Sequence, residues 1–147
     1  MPVSIDYTYC PRPFGLAKLL LDHGFRVERV YADSIPGGDR AAFEALKKEH
    51  PDLLIYPTVH SGMRFANTAN SSKADERGGN EETLALGQKA AYFDDTDRFV
   101  NVVEGGGMIG YEAVTRTMEL MRDAYVNRKE MKELVQVKGL GCEICNR

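Results

Sequence analysis

Regular alternation between strand-like and helix-like segments, from the first residues to Tyr56, constrains the fold of this chain more than any other feature. Three segments rich in β-forming residues, Val3–Tyr9, Arg26–Tyr31 and Asp52–Tyr56, are separated by two segments with apolar residues at helical spacing. Short links of this kind favour parallel strands joined by right-handed crossovers. The third segment, DLLIY, is almost continuously apolar, which predicts a strand covered on both faces. The pattern therefore indicates an α/β fold with a parallel sheet.

The middle of the sequence is less regular. Residues 67–80 are polar, with little apolar content, and predict a long loop of a kind that often carries function. Glu81–Phe93 is predicted as a helix because its apolar residues recur at helical spacing. Gly87 weakens that helix, and a short strand at Lys89–Asp94 is the alternative.

The last strand and the longest helix are predicted near the end of the domain. Phe99–Val103 is the strand, and the helix runs from Ile109 to about Asn127. One side of this helix carries Val114, Met118, Met121 and Tyr125. We therefore predict a domain over residues 1–128, followed by a charged extension over residues 129–147.

Composition excludes several classes of protein. A length of 147 residues predicts one domain, and a net charge of −3 argues against nucleic-acid binding, which requires a basic face. No apolar run approaches the roughly 20 residues of a membrane span, and no signal peptide is apparent. Three cysteines do not make a disulfide framework, so a cytoplasmic location is the expectation.

A glycine-rich turn joins the last predicted strand to the long helix. Gly105, Gly107 and Gly110 form the pattern G-x-G-x-x-G. A dinucleotide-binding turn follows the first strand of a βαβ unit, however, and a second strand with an acidic residue comes after it. Here the turn follows the last predicted strand, and no strand-like segment comes after the long helix. The amides of the turn would suit an anion at a helix N-terminus, and the alternative is that the glycines only permit a tight turn.

Ligands of open parallel sheets bind beyond the carboxyl ends of the strands, where several candidate side chains are expected. Arg12 lies between two prolines and is stiffly held for contact with an anion. His60 is a candidate ligand or acid–base group, with a hydrogen bond to a loop carbonyl as the alternative. Arg64 follows in the same segment, TVHSGMR. Cys10 is near a helix start that favours a thiolate, or it is inert packing.

Cys142 and Cys145 form a C-x-x-C pair close to the end of the sequence. A tetrahedral metal site needs four ligands, so this pair would be half of one, completed by Cys10, His60 or a second chain. The alternatives are an incidental pair or a disulfide formed between the two.

Several stretches of this sequence resemble proteins of the nitrogenase component-1 type. They are "RPFGLAKLLLDHGFRVERVYAD", "PDLLIYPTVHSGMR" and "KAAYFDDTDRFVNVVEGGGMIGYEAVTRTMELMRDA". Phe99–Asn101 together with Gly110 and Tyr111 is the most specific part of the resemblance. It covers nearly all of this chain but only about a third of a family member, because these proteins contain several such domains.

The resemblance implies a three-layer α/β/α, Rossmann-like domain with a four-stranded parallel sheet in the order 2-1-3-4. It also implies a position in the C-terminal part of an oxidoreductase or cofactor-assembly scaffold, beside a metallocluster held between domains. The side chains and turn expected to line that cleft are Arg12, His60, Arg64, Gly105, Gly106 and Gly107. The residues given a metal-binding role are Cys142 and Cys145.

No histidine occurs between Phe65 and Arg147, so the histidine ligand of the molybdenum–iron subunit is missing and a scaffold-like or divergent member is favoured. The implied cofactor is an iron–sulfur-type metallocluster in a full-length parent, with none in the isolated domain, which would not be catalytic alone. The implied partners are other domains of the same parent chain and a homologous subunit, or a homo-oligomer. The alternatives are a free-standing anion- or nucleotide-binding module and a structural subunit.

Overall fold

A computed structural model describes residues 1–65, 82–101 and 110–137; the predicted polar loop, residues 67–80, lies outside them. The strands are β1 (Val3–Asp6), β2 (Val27–Tyr31), β3 (Leu54–Tyr56), β4 (Leu84–Leu86) and β5 (Phe99–Val100). The helices are α1 (Pro13–Asp22), α2 (Arg40–Glu49), α3 (Gln88–Asp94), α4 (Gly110–Val126) and α5 (Met131–Val137). Short 3-10 helices cover Gly37–Asp39 and Ser61–Phe65.

The five strands form one parallel sheet in the order β3-β2-β1-β4-β5. The chain runs outward from β1 through β2 to β3 and then returns to the other side of β1. The point where the direction reverses lies between β1 and β4, where Val3 pairs with Leu84 and Ile5 pairs with Leu86. The predicted α/β, Rossmann-like class is confirmed. The sheet has five strands in place of four, and its order differs from 2-1-3-4 because the third strand pairs with the second.

The segment predicted as one helix over residues 81–93 is a strand followed by a helix. Leu84–Leu86 forms β4, and α3 begins only at Gln88. Gly87 separates them with φ +110°, a backbone conformation that ends the strand and suits glycine. The alternative of a strand at Lys89–Asp94 is also wrong, because those residues are helical.

β3 is an edge strand, which corrects the prediction that it is covered on both faces. Leu54 is 38% exposed and Ile55 is 36% exposed, while the neighbouring Leu53 packs against the core. An edge strand of a parallel sheet has a partner strand on one side only. The apolar composition of β3 therefore did not indicate burial on both faces.

Apolar side chains from alternate strand positions fill two layers, one on each face of the sheet. Ile5, Val30 and Val100 belong to the layer that also holds Phe14 of α1 and Leu120 of α4. Tyr31, Ala85 and Phe99 belong to the layer under α3 and α5, together with Ala90 and Met131. This is the three-layer arrangement expected from the alternation of strands and helices. No helix in the described part of the chain combines the length and apolar character of a membrane span.

The long helix α4 turns only part of its predicted apolar side toward the sheet. Leu120, Met121 and Ala124 are buried, whereas Val114 and Tyr125 are exposed. Met131 of α5 is buried too, although it belongs to the predicted charged extension.

Candidate functional site

Four polar side chains from different elements meet at the carboxyl edge of the sheet. Tyr7 directly follows β1, Asp33 follows β2, Thr58 follows β3, and Lys89 lies in the first turn of α3. The Lys89 ammonium donates hydrogen bonds to Tyr7 Oη and, at 2.9 Å, to Thr58 Oγ1. It lies 3.9 Å from Asp33 Oδ2 and 4.3 Å from the centre of the Tyr7 ring. We call these four residues the carboxyl-edge cluster.

Asp33 holds the loop after β3 against the loop after β2. Its Oδ1 accepts hydrogen bonds from the amides of Thr58 at 2.6 Å and Val59 at 3.1 Å. Its Oδ2 accepts a hydrogen bond from Thr58 Oγ1 at 2.7 Å. Partial burial would raise the pKa of Asp33, but these hydrogen bonds and the charge of Lys89 lower it below its usual value. The carboxylate is therefore ionised near neutral pH and serves to fix Thr58 and Lys89.

A cavity of about 310 Å³ opens beside the cluster, between the loops that follow β1 and β2. It is lined by Tyr7, Pro11, Pro13, Asp33, Ser34 and Pro36. Proline fixes the backbone φ angle, so three of the six lining residues are conformationally stiff. The volume is at the lower end of the range for small-molecule sites, and the position beyond the carboxyl ends of the strands is the usual one in open α/β sheets.

Arg12, predicted from the sequence to contact an anion, lies in the loop that lines this cavity. Its side chain is exposed and packs on Gly38, where an added Cβ would lie 3.1 Å from a guanidinium nitrogen. Within the described ranges Arg12 forms no ion pair. Its charge is therefore available to a ligand at this edge of the sheet.

His60 lies in the turn between β3 and the 3-10 helix at Ser61–Phe65, and its side chain is exposed. Its Nδ1 accepts a hydrogen bond from the Gly62 amide at 3.1 Å. The bond predicted as the alternative was to a loop carbonyl, whereas the observed partner is a loop amide. In the neutral ring this leaves the proton on Nε2.

The side chain of Arg64 and the whole of Gly105, Gly106 and Gly107 lie outside the described part of the structure. So do Cys142 and Cys145, for which the metal-binding role stays a prediction.

The N-terminus of α1 is closed by Asp39, which comes from the loop before α2. Asp39 is buried, and its two carboxylate oxygens accept hydrogen bonds from the amides of Phe14 at 2.8 Å and Gly15 at 2.7 Å. Asp39 directly precedes α2, but its side chain makes no capping hydrogen bond to that helix. Its carboxylate already occupies the amides that would hold an anion at the start of α1.

Asp6 closes the N-terminus of α3 in the same way. It is fully buried at the end of β1, where Oδ2 accepts a hydrogen bond from the Ala90 amide at 2.8 Å. Oδ1 accepts bonds from the amides of Thr8 at 2.7 Å and Tyr9 at 3.2 Å. Burial raises the pKa of Asp6, although the bonds from Thr8, Ala90 and Tyr9 lower it. With the starts of α1 and α3 occupied by carboxylates, an anion beside this cavity would be met by side-chain cations such as Lys89 and Arg12.

Sequence reasoning placed Arg12 and His60 at the carboxyl edge, where the structure also has them, but did not select the carboxyl-edge cluster. Tyr7 and Asp33 follow strands closely, which is a usable signal for the carboxyl edge, whereas Lys89 fell in the segment assigned to a longer helix. Cys10 is half-buried, and burial raises the pKa of its thiol, so a thiolate is not favoured there.

The residues the structure describes include no group of three histidine, cysteine or acidic side chains able to hold a metal ion. Comparison with known proteins adds no assignment: no protein-family model, curated protein or solved structure matches this chain.

Proposed function

We propose that this chain is a Rossmann-like domain of a nitrogenase component-1-type oxidoreductase or cofactor-assembly scaffold. The carboxyl edge of its sheet would line a cleft that holds an anionic metallocluster between domains. One observation carries this proposal. Lys89 is held by Tyr7, Asp33 and Thr58 beside the point where the strand order reverses, which is where open parallel sheets bind their ligands.

Lys89 is held in a defined direction. Its side chain is only 19% exposed, and two hydrogen bonds and one longer ion pair restrict the ammonium group. Most of the conformational entropy of this long side chain is therefore already lost before a ligand binds. Preorganisation of this kind increases the contribution of a charge to binding. Arg12 supplies a second cation, and its neighbours in the sequence, Pro11 and Pro13, line the cavity.

The described residues are suited to surround such a cofactor, but they do not supply its metal ligands. Clusters held by thiolates are anionic, and nearby charges and hydrogen bonds tune their reduction potentials. Cations and hydroxyls of the kind found at this edge match that requirement, while the ligating atoms would come from residues outside the described ranges or from other domains. When bound, the cluster supplies the electron-transfer chemistry, and this domain supplies charge and orientation.

A nucleotide-binding module is the second candidate. The order β3-β2-β1-β4 and an acidic residue just after β2 are both features of dinucleotide-binding domains. Two observations rank it lower. Asp39 occupies the first amides of α1, where a pyrophosphate would bind, and both oxygens of Asp33 already accept hydrogen bonds from Thr58 or Val59.

The proposal predicts that Lys89→Met lowers cofactor retention. The protein would be purified without oxygen from its own host, with any further domains and subunits that it naturally has, and assayed for iron and visible absorption. Wild-type protein should contain iron and absorb broadly in the visible range. Lys89→Met should retain about tenfold less, which corresponds to about 1.4 kcal/mol of lost binding.

The matched control is Lys48→Met, which removes an exposed lysine from the last turn of α2, at the end of the helix that leads into the start of β3. It should retain iron at the wild-type level. Thermal unfolding of each variant would separate loss of the cofactor from loss of the fold. Colourless, iron-free wild-type protein, or equal iron in the two variants, would overturn the proposal.

A further inference from the structure

The cavity beside the carboxyl-edge cluster has a carboxylate in its wall, that of Asp33, which retains room for one more hydrogen bond. An ionised carboxylate offers about four acceptor sites. The amides of Thr58 and Val59 and the hydroxyl of Thr58 occupy three of them, two on Oδ1 and one on Oδ2. Lys89 lies 3.9 Å from Oδ2, which is beyond hydrogen-bond distance. The remaining site on Oδ2 is too few for the two hydroxyls of a ribose but sufficient for one ammonium group.

The Tyr7 hydroxyl, in the same wall, has a proton to donate. An ammonium group can only donate, so Tyr7 Oη is the acceptor in its hydrogen bond with Lys89. Within the described residues, the hydroxyl hydrogen of Tyr7 has no acceptor of its own. The positive charge of Lys89 beside Oη favours an acceptor that carries negative charge. Tyr7 is 37% exposed and lines the cavity, so a ligand can reach this proton.

Three proline rings make most of the remaining wall, those of Pro11, Pro13 and Pro36. These rings are apolar, and they fix the backbone φ angle, so this part of the cavity keeps its shape. Apolar atoms of a ligand are favourably removed from water against such a surface. The cavity therefore combines an acceptor, a donor and an apolar wall within about 310 Å³.

We propose that this cavity binds an amino acid with an apolar side chain. The ammonium group of the ligand donates a hydrogen bond to Asp33, its carboxylate accepts one from the Tyr7 hydroxyl, and its side chain lies against the proline rings. The opposite charges of Lys89 and Asp33 are 3.9 Å apart. The two charged groups of an amino acid are attached to one carbon atom, so the two pairs of opposite charges can lie side by side.

A ligand with only one of these charged groups is a poorer match. A simple carboxylate would be repelled by Asp33 and would leave its remaining acceptor site unused. A simple amine would leave the Tyr7 hydroxyl without an acceptor. The inference goes beyond the proposed function, because the cavity needs no metallocluster to bind an amino acid.

The test compares L-leucine with two analogues that each lack one charged group. Isocaproate has the same carbon chain without the ammonium group, and isoamylamine has it without the carboxylate. Each compound is titrated into isotope-labelled, iron-free protein, and the amide signals of Tyr7, Asp33 and Ser34 are followed by nuclear magnetic resonance. These signals should shift with leucine, and leucine should have a dissociation constant at least tenfold lower than either analogue.

Two variants should change the preference in opposite directions. Asp33→Asn should raise the dissociation constants of leucine and isoamylamine at least tenfold, but not that of isocaproate, because the repelling charge is gone. Tyr7→Phe should raise those of leucine and isocaproate about fivefold, the effect of one lost hydrogen bond, and leave that of isoamylamine unchanged.

The matched controls are Asp52→Asn and Tyr125→Phe, which should bind all three compounds as wild type does. Both side chains are exposed. Asp52 lies before the start of β3, and the carbonyl of Tyr125 accepts a hydrogen bond from Arg98, which precedes β5. Both controls are therefore at the opposite edge of the sheet from the cavity.

Three results would overturn the proposal. One is the absence of any shift with leucine up to its solubility limit, and another is binding of either analogue as tightly as leucine. The third is equal weakening of all three compounds by Tyr7→Phe or by folded Asp33→Asn, which would indicate a purely structural role. Circular dichroism establishes folding, and Tyr7→Phe keeps the test valid if Asp33→Asn does not fold. None of these results depends on iron, so the cofactor proposal is tested separately.

Discussion

Gly87→Ala is expected to lower the free energy of unfolding by more than about 4 kcal/mol, a large part of the roughly 5–15 kcal/mol that stabilises a native domain. Gly87 joins β4 to α3 with φ +110° and ψ 161°, a conformation that is almost restricted to glycine. An added Cβ would lie 2.3 Å from Oδ2 of Asp6 and 2.4 Å from its Cγ. Asp6 cannot withdraw easily, because it is fully buried and its oxygens hold the amides of Thr8 and Ala90.

Alanine substitutions at two other glycines distinguish the cost of backbone strain from the cost of steric overlap. Gly24 has φ +82° but nothing within 4 Å of an added Cβ, so Gly24→Ala should cost only about 1 kcal/mol. Gly37 has open space around its Cβ position and no positive φ, and Gly37→Ala should be within about 0.5 kcal/mol of wild type. Urea unfolding followed by circular dichroism measures all three. A loss for Gly87→Ala no greater than that for Gly24→Ala would contradict the close approach of Gly87 to Asp6.

Asp39→Ala should have the second largest effect, a loss of about 3 kcal/mol. The substitution removes a helix cap and leaves the amides of Phe14 and Gly15 without their acceptors. A lost cap costs about 0.5–2 kcal/mol, and a buried donor left unsatisfied costs about 1–3 kcal/mol. Asp39→Asn should lie between Asp39→Ala and wild type, because its amide retains one acceptor oxygen where the carboxylate has two.

Asp52→Ala is the control for Asp39→Ala, since Asp52 is an exposed aspartate in the turn before β3. It should change the free energy of unfolding by no more than about 0.5 kcal/mol. If chemical denaturation gives similar values for Asp39→Ala and Asp52→Ala, the start of α1 does not depend on Asp39.

The first half of the fold was predictable because local signals and tertiary contacts agree there. Pro13 begins α1, Gly24 ends it with a positive φ, and the strands on either side are rich in β-forming residues. The second half was less predictable because β4 is only three residues long. Its two leucines also fit the helical spacing of the residues that follow, so periodicity could not distinguish strand from helix.

Strand order and side-chain roles depend on contacts that are distant in the sequence. The bond between the Ala90 amide and Asp6 spans 84 residues, and the bond between Phe14 and Asp39 spans 25. No local pattern indicates either pairing. For the same reason Arg12 could be assigned to the carboxyl edge from its place after a strand, whereas Lys89 could not, since its position depends on where α3 begins.

The most direct test of a ligand site at the carboxyl edge is a map of amide signals broadened by hexacyanochromate(III), an inert paramagnetic trianion. We expect selective broadening of the amides of Tyr7, Thr58 and Lys89, which Lys89→Met should largely abolish. The amides of Arg26 and Arg98, which precede β2 and β5 at the opposite edge of the sheet, should stay sharp. Equal broadening at Arg26 and Arg98, or broadening at Thr58 that is unchanged in Lys89→Met, would contradict an anion-binding carboxyl edge.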